Sequence, residues 1–313
     1  QDVRELHIGL LNMMPDTAFR LTEQQFMRLV GSCNQLAQLF VHPFSVSGLP
    51  RSQGTQNYID AYYTGFHKLQ EDGLDALIIT GANVSNPTLE EEPFWPQLKE
   101  VISWAMTNVT SVLCSCLATH ALVKHLYNID RQRLPLKRWG VYRHRITQAK
   151  HPLLRHVKTR FDVPHSRYNA VTSDQIEAAG LTILVESVEG DFHMAVSPDR
   201  FRIVYFQGHP EYYTNSLLKE YKREVKRFLG GEREDYPPNP EHYFNADAAC
   251  IADNYQHMAI STQHQGKRPP LLPEEKIEMH LDNTWVDTSE ALFNNWLGLV
   301  NKITNIDRKV PFI

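Results

Sequence analysis

The sequence predicts an α/β protein built on a doubly wound, mostly parallel sheet. Apolar runs of strand length alternate with longer segments in which apolar residues recur at helical spacing. This order is typical of parallel strands joined by right-handed crossover helices. One run, ALIIT at 76–80, is apolar throughout and ends at Gly81-Ala82, as expected of a central strand that is buried on both faces.

The first half of the chain supplies most of these elements. Strands are predicted at 7–12, 39–44, 76–80 and 109–114. Helices are predicted at 58–69, 94–107 and 117–127, and an earlier helix begins at a capping box of Thr22 and Gln25. That helix continues through five apolar residues: Phe26, Leu29, Val30, Cys33 and Leu36. The stretches 45–56 and 83–92 are predicted to be surface loops.

The pattern changes beyond residue 134. Short aromatic and basic segments at 134–171 predict strands and loops across one end of the sheet, and further strands are predicted at 182–188, 193–196 and 202–207. A helix at 215–228 is predicted with Asn215 as its cap. The stretch 230–273 is predicted to be irregular, and 285–300 to form a closing helix. We therefore expect one domain over 1–313, with a core at about 5–230 and a wrap-around C-terminal extension at about 231–313.

Composition excludes several classes of partner. The formal net charge of -4 predicts neither nucleic-acid binding nor attachment to an anionic membrane, and no apolar run approaches the roughly 20 residues of a membrane span. The opening residues QDVRELHIG do not resemble a secretion signal. Four cysteines in a chain of this length fit a reducing cytoplasm better than a disulfide framework, and the Cys114/Cys116 pair is too close for a zinc knuckle, so no metal site is predicted.

Cys116 is the first candidate catalytic residue. It lies between the predicted strand 109–114 and the predicted helix 117–127, and in α/β sheets the carboxyl ends of strands form the ligand crevice. The N-terminal amides of the following helix would stabilise a thiolate there. From this stretch alone, Cys116 can equally be a small buried hydrophobic residue.

His209 and Glu211 follow another predicted strand, in the sequence Gly-His-Pro-Glu. The proline makes the turn rigid, so the imidazole and the carboxylate can emerge together. A carboxylate on one ring nitrogen would leave the other nitrogen to take a proton from Cys116, which predicts a Cys/His/Glu triad. The alternative is that this histidine is an ordinary loop residue.

Seven motifs occur in the order of a known family: LNMMP, TEQQF, DALIITGA, the Cys116-Leu117-Ala118 turn, WGVYRHR, PHSR and GHPEY. From His7 to about Trp296, the chain resembles the homoserine O-acyltransferases of the succinyltransferase type, which begin methionine biosynthesis. The resemblance implies a flavodoxin-like sheet, similar to that of class I glutamine amidotransferases, in a single acyltransferase domain. It also implies a cytoplasmic homodimer that has no bound cofactor and uses an acyl-CoA, succinyl-CoA or acetyl-CoA, as co-substrate.

The resemblance also implies roles for individual residues. Cys116 would be the acyl-accepting nucleophile, His209 the general base and Glu211 its orienting partner. Arg223 would bind the carboxylate of the amino acid, and Ser85 would leave room for a succinyl chain. The acceptor pocket would be lined by the residues of the PHSR motif: His165, Ser166 and Arg167. The oxyanion would be held by backbone amides of Cys116 and Leu117 or near Asn83.

Four alternatives remain open at this point. The donor can be acetyl-CoA, and the acceptor can be serine or another hydroxy amino acid. The same triad can serve a glutamine amidotransferase-like hydrolase, although Ser115 and Leu117 stand where the usual glutaminase turn has glycine. The chain can also be a non-catalytic binding relative that kept the fold.

Overall fold

The computed structural model describes residues 4–33 and 37–312. The strands of this part are β1 (Glu5–Met13), β2 (Gln38–Phe44), β3 (Ala76–Ala82), β4 (Ser111–Ser115), β5 (Gln132–Ile146), β6 (Arg160–Ala170), β7 (Thr182–Ser187), β8 (Phe192–Val196) and β9 (Ile203–Phe206). The helices are α1 (Asp16–Gly31), α2 (Gln53–Tyr62), α3 (Phe66–Asp72), α4 (Trp95–Asn108), α5 (Leu117–Tyr127), α6 (Ser173–Ala178), α7 (Ser216–Leu229), α8 (Ala246–His264), α9 (Glu274–Glu278) and α10 (Val286–Ile303).

All nine strands form one sheet in the order β2-β1-β3-β4-β9-β8-β7-β5-β6. The first five strands of this order are parallel, and their arrangement is the 2-1-3-4-5 order of flavodoxin-like sheets. The other four strands are antiparallel to their neighbours. The predicted α/β doubly wound class is therefore confirmed, with an antiparallel half added beyond β9.

Apolar side chains pack on both faces of this sheet. One face carries α4 and α5, and the other carries α1 and α10, where Phe26 and Phe293 are in contact. The indole of Trp296 donates a hydrogen bond to Ser111 Oγ at 2.8 Å, which ties α10 to the start of β4. The predicted closing helix is thus confirmed. A third cluster joins the β5–β6 hairpin to α7, α8 and the C-terminal segment.

Several predicted boundaries are wrong in the first half of the chain. Thr22 is a buried residue in the middle of α1, because that helix already begins after Pro15, whose extended backbone and fixed φ suit a helix start. Residues 53–56 belong to α2 rather than to a loop, because Ser52 caps the helix by accepting from Thr55 N–H. The predicted helix 58–69 is two helices, interrupted at 63–65. Leu36 lies outside the described residues.

The second half departs further from the sequence prediction. The segments at 134–171 are not short elements across the end of the sheet: they form the long β5–β6 hairpin, which extends the sheet at its edge. Asn215 makes no capping hydrogen bond. The predicted irregular stretch 230–273 contains the 19-residue helix α8, which buries small or aromatic side chains at helical spacing against the third cluster. None of the described helices is long and apolar enough to cross a membrane.

Candidate active site

Cys116 occupies a strained turn between β4 and α5. Its backbone has φ 51° and ψ -106°, a conformation that is costly for a residue with a Cβ and is typical of functional sites. The thiol is partly exposed, whereas Cys33 and Cys114 are buried. Gly81, at the end of β3, faces this turn closely enough that a Cβ added to it would lie 3.8 Å from Cys116 Cβ. The strand-to-helix turn predicted from the sequence is therefore present.

His209 and Glu211 meet Cys116 because β9 lies directly beside β4 in the sheet. His209 Nδ1 and Glu211 Oε1 are 2.8 Å apart, and both side chains are buried. Burial alone would lower the pKa of His209, but the negative charges of Glu211 and Cys116 and their hydrogen bonds outweigh it and raise that pKa well above its usual value. The structure thus brings the three predicted triad residues together.

Ser115 adds a contact that the sequence analysis did not identify. Its hydroxyl donates a hydrogen bond of 3.3 Å to Glu211 Oε1, the same oxygen that contacts His209. Ser115 is the last residue of β4 and is buried. The available signal was that Ser115 directly precedes Cys116. Because side chains alternate along a strand, Ser115 points to the opposite face of the sheet from Cys114.

The backbone of the His209 turn is held by the antiparallel half of the sheet. His209 N–H donates to Pro164 O at 2.8 Å, and Gly208 N–H donates to His193 Nδ1 at 3.2 Å. A Cβ at Gly208 would lie only 2.8 Å from His165 Nε2, so a larger residue there would displace the turn. The His209 ring also stacks on Tyr212, with ring centroids 4.3 Å apart. These contacts fix the position of the imidazole.

The oxyanion donors differ from those predicted in one respect. Cys116 N–H donates to Phe206 O at 2.8 Å and is therefore not available to a substrate, so that part of the prediction is wrong. Leu117 is the first residue of α5, where amides have no acceptor within the helix. The Leu117 amide therefore remains a candidate donor, and Asn83 is exposed in the loop after β3.

A partly buried carboxylate, Glu220 of α7, organises the predicted acceptor side. Its oxygens accept from Ser166 Oγ at 2.6 Å and Tyr212 Oη at 2.8 Å, and Lys137 Nζ lies 3.1 Å away. Burial would raise the pKa of Glu220, but Lys137 and these hydrogen bonds lower it, so the group is a carboxylate at neutral pH. Arg223, one turn further along α7, is half-exposed and close enough to interact with this charge.

Sequence reasoning missed Glu220 and Lys137. Glu220 lies three residues before Arg223, so both lie on one face of α7, and this spacing was the signal that could have identified it. Along the chain, strands β6 to β9 lie between Lys137 and Glu220. The packing of α7 on the hairpin brings the two side chains together.

The PHSR motif does not act as one unit, because successive residues of β6 point to opposite faces. Ser166 points to Glu220, whereas His165 and Arg167 point to the interior. His165 Nε2 lies 3.2 Å from His144 Nε2, and Arg167 reaches His165 Nδ1 at 3.4 Å. Burial lowers the pKa of Arg167 to about 10 and that of His165 well below its usual value. The structure therefore places only Ser166 of this motif beside Glu220, the carboxylate on which the charge of Arg223 acts.

The loop that carries Asn83 and Ser85 is held by Glu92 and Arg131, and the charge of Cys116 reaches Arg131. Glu92 accepts hydrogen bonds from the amides of Ser85 and Asn86 at 2.8 and 2.7 Å. Arg131 donates to Asn86 O at 3.3 Å, and the charge of Cys116 acts on it. Both Glu92 and Arg131 were missed in the sequence. Their hydrogen bonds hold the loop of Asn83 and Ser85, which would form a wall of the predicted acyl pocket.

Within the described ranges, no group of three or more His, Cys, Asp or Glu side chains is arranged to hold a metal ion. His144, His165 and His193 lie together, but their ring nitrogens make hydrogen bonds to protein groups. His144 Nδ1 contacts Tyr142 O at 2.8 Å, and His193 Nδ1 accepts from Gly208 N–H. The cluster is therefore a set of neutral packing and hydrogen-bonding groups.

Comparison with known proteins identifies a family and several similar proteins. The profile of the homoserine O-succinyltransferase family (HTS) matches residues 1–306. The homoserine O-succinyltransferase of Methylococcus capsulatus is 55% identical over 313 residues, which is 100% of this chain and 88% of that protein. The corresponding protein of Methylobacter tundripaludum is 56% identical with the same coverage. A solved structure of a glutamine amidotransferase from Methylobacillus flagellatus covers 95% of both chains at 12% identity, with a TM-score of 0.49.

Proposed function

The chain belongs to the homoserine O-succinyltransferase family, and we propose that it transfers a succinyl group in two steps through a thioester on Cys116. The enzyme is an acyltransferase that moves a succinyl group onto the side-chain hydroxyl of homoserine, with succinyl-CoA as the co-substrate. The single observation that carries the two-step route is that Cys116 and the buried His209–Glu211 pair follow the neighbouring strands β4 and β9, with the charge of Cys116 acting on His209.

In the first step, the Cys116 thiolate attacks the carbonyl carbon of succinyl-CoA. The new S–C bond forms as the bond to the CoA sulfur breaks, and the departing thiolate takes a proton from the His209 imidazolium. The raised pKa of His209 supports this, because the ring is then protonated when Cys116 is ionised. The Leu117 amide would donate to the oxyanion at the N-terminus of α5.

In the second step, the homoserine hydroxyl attacks the acyl carbon while His209 Nε2 takes its proton. The S–C bond to Cys116 then breaks, which regenerates the thiolate and releases O-succinylhomoserine. Glu211 keeps Nδ1 protonated, so Nε2 remains the reactive nitrogen. We assign the carboxylate of homoserine to Arg223, whose charge acts on Glu220. We propose that homoserine approaches along the surface of Ser166 and Glu220, because Tyr212 bonds to Glu220 and stacks on His209.

The donor pocket is proposed to lie under the loop of Asn83 and Ser85. A small side chain at 85 supports a longer acyl chain there, and the loop is anchored by Glu92 and Arg131 on either side. We also propose a reducing, cytoplasmic location, since all four cysteines are free and one of them is the nucleophile. A homodimer is proposed from the family resemblance.

The test is a mass measurement on the intact protein. Incubation with succinyl-CoA without homoserine should add one succinyl group to the wild type and to Cys250→Ser, which removes an exposed thiol elsewhere. Cys116→Ala should show neither the adduct nor turnover. Turnover by Cys116→Ala at a rate within about tenfold of wild type would refute the covalent route, since loss of an attacking nucleophile costs on the order of 10⁴-fold or more.

A further inference from the structure

A basic groove lies on the solvent face of the β5–β6 hairpin. We define it by four cations: Arg143, Arg145, Lys158 and Arg160. Arg143 pairs in register with Asp162, and Arg145 pairs with Arg160, so their side chains share one face of the hairpin. The opposite face carries buried residues such as His144. The groove has a cavity of about 670 Å³, with an adjoining one of about 300 Å³, within the range of ligand sites.

These cations are poorly neutralised by the protein. Arg143 and Lys158 are 68% and 71% exposed, and each meets a carboxylate only at 4.0 Å. Arg145 is the better-paired member, at 2.6 Å from Glu186. Such a cluster is unexpected in a chain whose formal charge is -4. Like charges repel, so a local concentration of cations indicates an anionic partner.

The substrates differ in the charge that they offer to this groove. Homoserine has a single carboxylate and an ammonium, whereas acyl-CoA carries a diphosphate and a further phosphate on its nucleotide. Guanidinium groups recognise phosphate by paired hydrogen bonds. We infer that the basic groove binds the phosphates of the nucleotide end of acyl-CoA. This inference rests on the proposed function only for the identity of the donor.

The groove is connected to the catalytic turn through the hairpin itself. Val141 lines the groove and pairs with Pro164, whose carbonyl accepts the backbone N–H of His209. Glu189 also lines the groove and is bound by Arg138 at 3.0 Å. The nucleotide would therefore lie at the outer end of the hairpin, and the flexible pantetheine arm would extend from it toward Cys116.

The inference is tested by titrating the full chain with the nucleotide half of CoA, 3′-phospho-ADP, in a calorimeter at low salt. Arg143→Glu and Arg160→Glu should each weaken binding about tenfold, because one attraction is replaced by a repulsion. Lys150→Glu, the same charge change in the turn that ends this hairpin, should alter the Kd by less than about twofold. Raising the salt concentration should weaken binding to the wild type and should reduce the differences among the variants.

The kinetic readout is equally specific. Arg143→Glu should raise the KM for succinyl-CoA and leave the KM for homoserine within about twofold, since only the donor carries phosphates. Absence of nucleotide binding, or equal weakening by all three variants, would overturn the inference. Inorganic phosphate binding with equal affinity, without inhibition against succinyl-CoA, would show a general anion site and would also overturn it. Failure of the acyl-enzyme test on Cys116 would leave these binding results unchanged, so the two failures are distinguishable.

Discussion

The two halves of the sheet contribute to the site in different ways. In the parallel half, β3 and β4 are almost completely buried, and their role is to hold the strained Cys116 turn through backbone geometry. In the antiparallel half, β5 and β6 mix buried and exposed positions and carry Lys137, Ser166 and the basic groove. The parallel strands therefore fix the position of Cys116, whereas the antiparallel strands carry charged and polar side chains.

The connection between the two halves explains the assembly of the triad. β4 and β9 are hydrogen-bonded neighbours, yet the whole antiparallel half lies between them along the chain. Cys116 and His209 are therefore distant in sequence and adjacent in space. The hairpin also supports the turn that carries His209, through the hydrogen bond from His209 N–H to Pro164 O. Each half consequently depends on the other.

The largest expected effect comes from breaking the triad where β4 and β9 meet. Glu211→Gln should lower kcat/KM by about 10³- to 10⁴-fold, because a neutral amide neither stabilises the imidazolium nor keeps its Nδ1 protonated. The pKa of His209 should fall, which would move the pH–rate profile to lower pH. Glu71→Gln, an exposed carboxylate on α3, is the control. A decrease smaller than about tenfold would mean that Glu211 does not orient the base.

A second prediction concerns the stability of the antiparallel half. Burial lowers the pKa of His144 to about 4, below the value of about 6.5 for an unfolded chain. The unfolded state therefore binds more protons between these values, and the free energy of unfolding should decrease as pH falls through this range. His144 alone should contribute a loss of about 2–3 kcal/mol by pH 4.5. His165 and His193, which also have lowered pKa values, should add to it.

Urea titrations between pH 7.5 and 4.5 measure this loss. His144→Gln keeps a polar group of similar size but does not titrate, so its stability should depend less steeply on pH than that of the wild type. Carboxylates titrate equally in both proteins, so their contribution to the pH dependence of stability cancels when the two proteins are compared. Identical slopes for the two proteins would contradict the assignment of a buried neutral histidine at 144.

The smallest of the three effects tests the acceptor side, where α7 meets the hairpin. Arg223→Ala should raise the KM for homoserine by about tenfold and change the KM for succinyl-CoA much less. The loss is moderate because the side chain is half-exposed and solvent screens its charge. Arg227→Ala is a matched control on the same helix, since that arginine is similarly exposed and also contacts Glu224. Equal changes in both KM values would contradict the carboxylate assignment.

Local pattern was sufficient for the parallel half of the fold. The continuous apolar run at 76–80 and the strand pattern at 109–114 predict β3 and β4, and the helix predicted at 117–127 is α5. Cys116 could be chosen because a strand-to-helix turn is a local feature. The antiparallel half was predicted poorly, because the alternation in β5 and β6 is interrupted by aromatic and basic residues that are buried or paired only through tertiary contacts.

The extension beyond residue 230 was also predicted poorly, because its structure depends on tertiary contacts. Its proline, glycine and asparagine residues suggested irregular structure, yet α8 forms there because Asn245 caps it and the third cluster buries one of its faces. Packing energy from a distant hairpin outweighed local composition. No pattern within that stretch indicates which surface it will cover.

Local sequence specifies the strands of the parallel sheet, the turn that carries Cys116 and the pairing of His209 with Glu211, because each depends on neighbours only a few residues away. Folding of the whole chain is needed to bring β9 beside β4, to join Glu220 to Lys137 and Ser166, and to bond the Cys116 amide to Phe206 O. These contacts join residues that are far apart in the chain. Their free energy depends on burial and hydrogen bonding in the folded state, which local sequence does not specify.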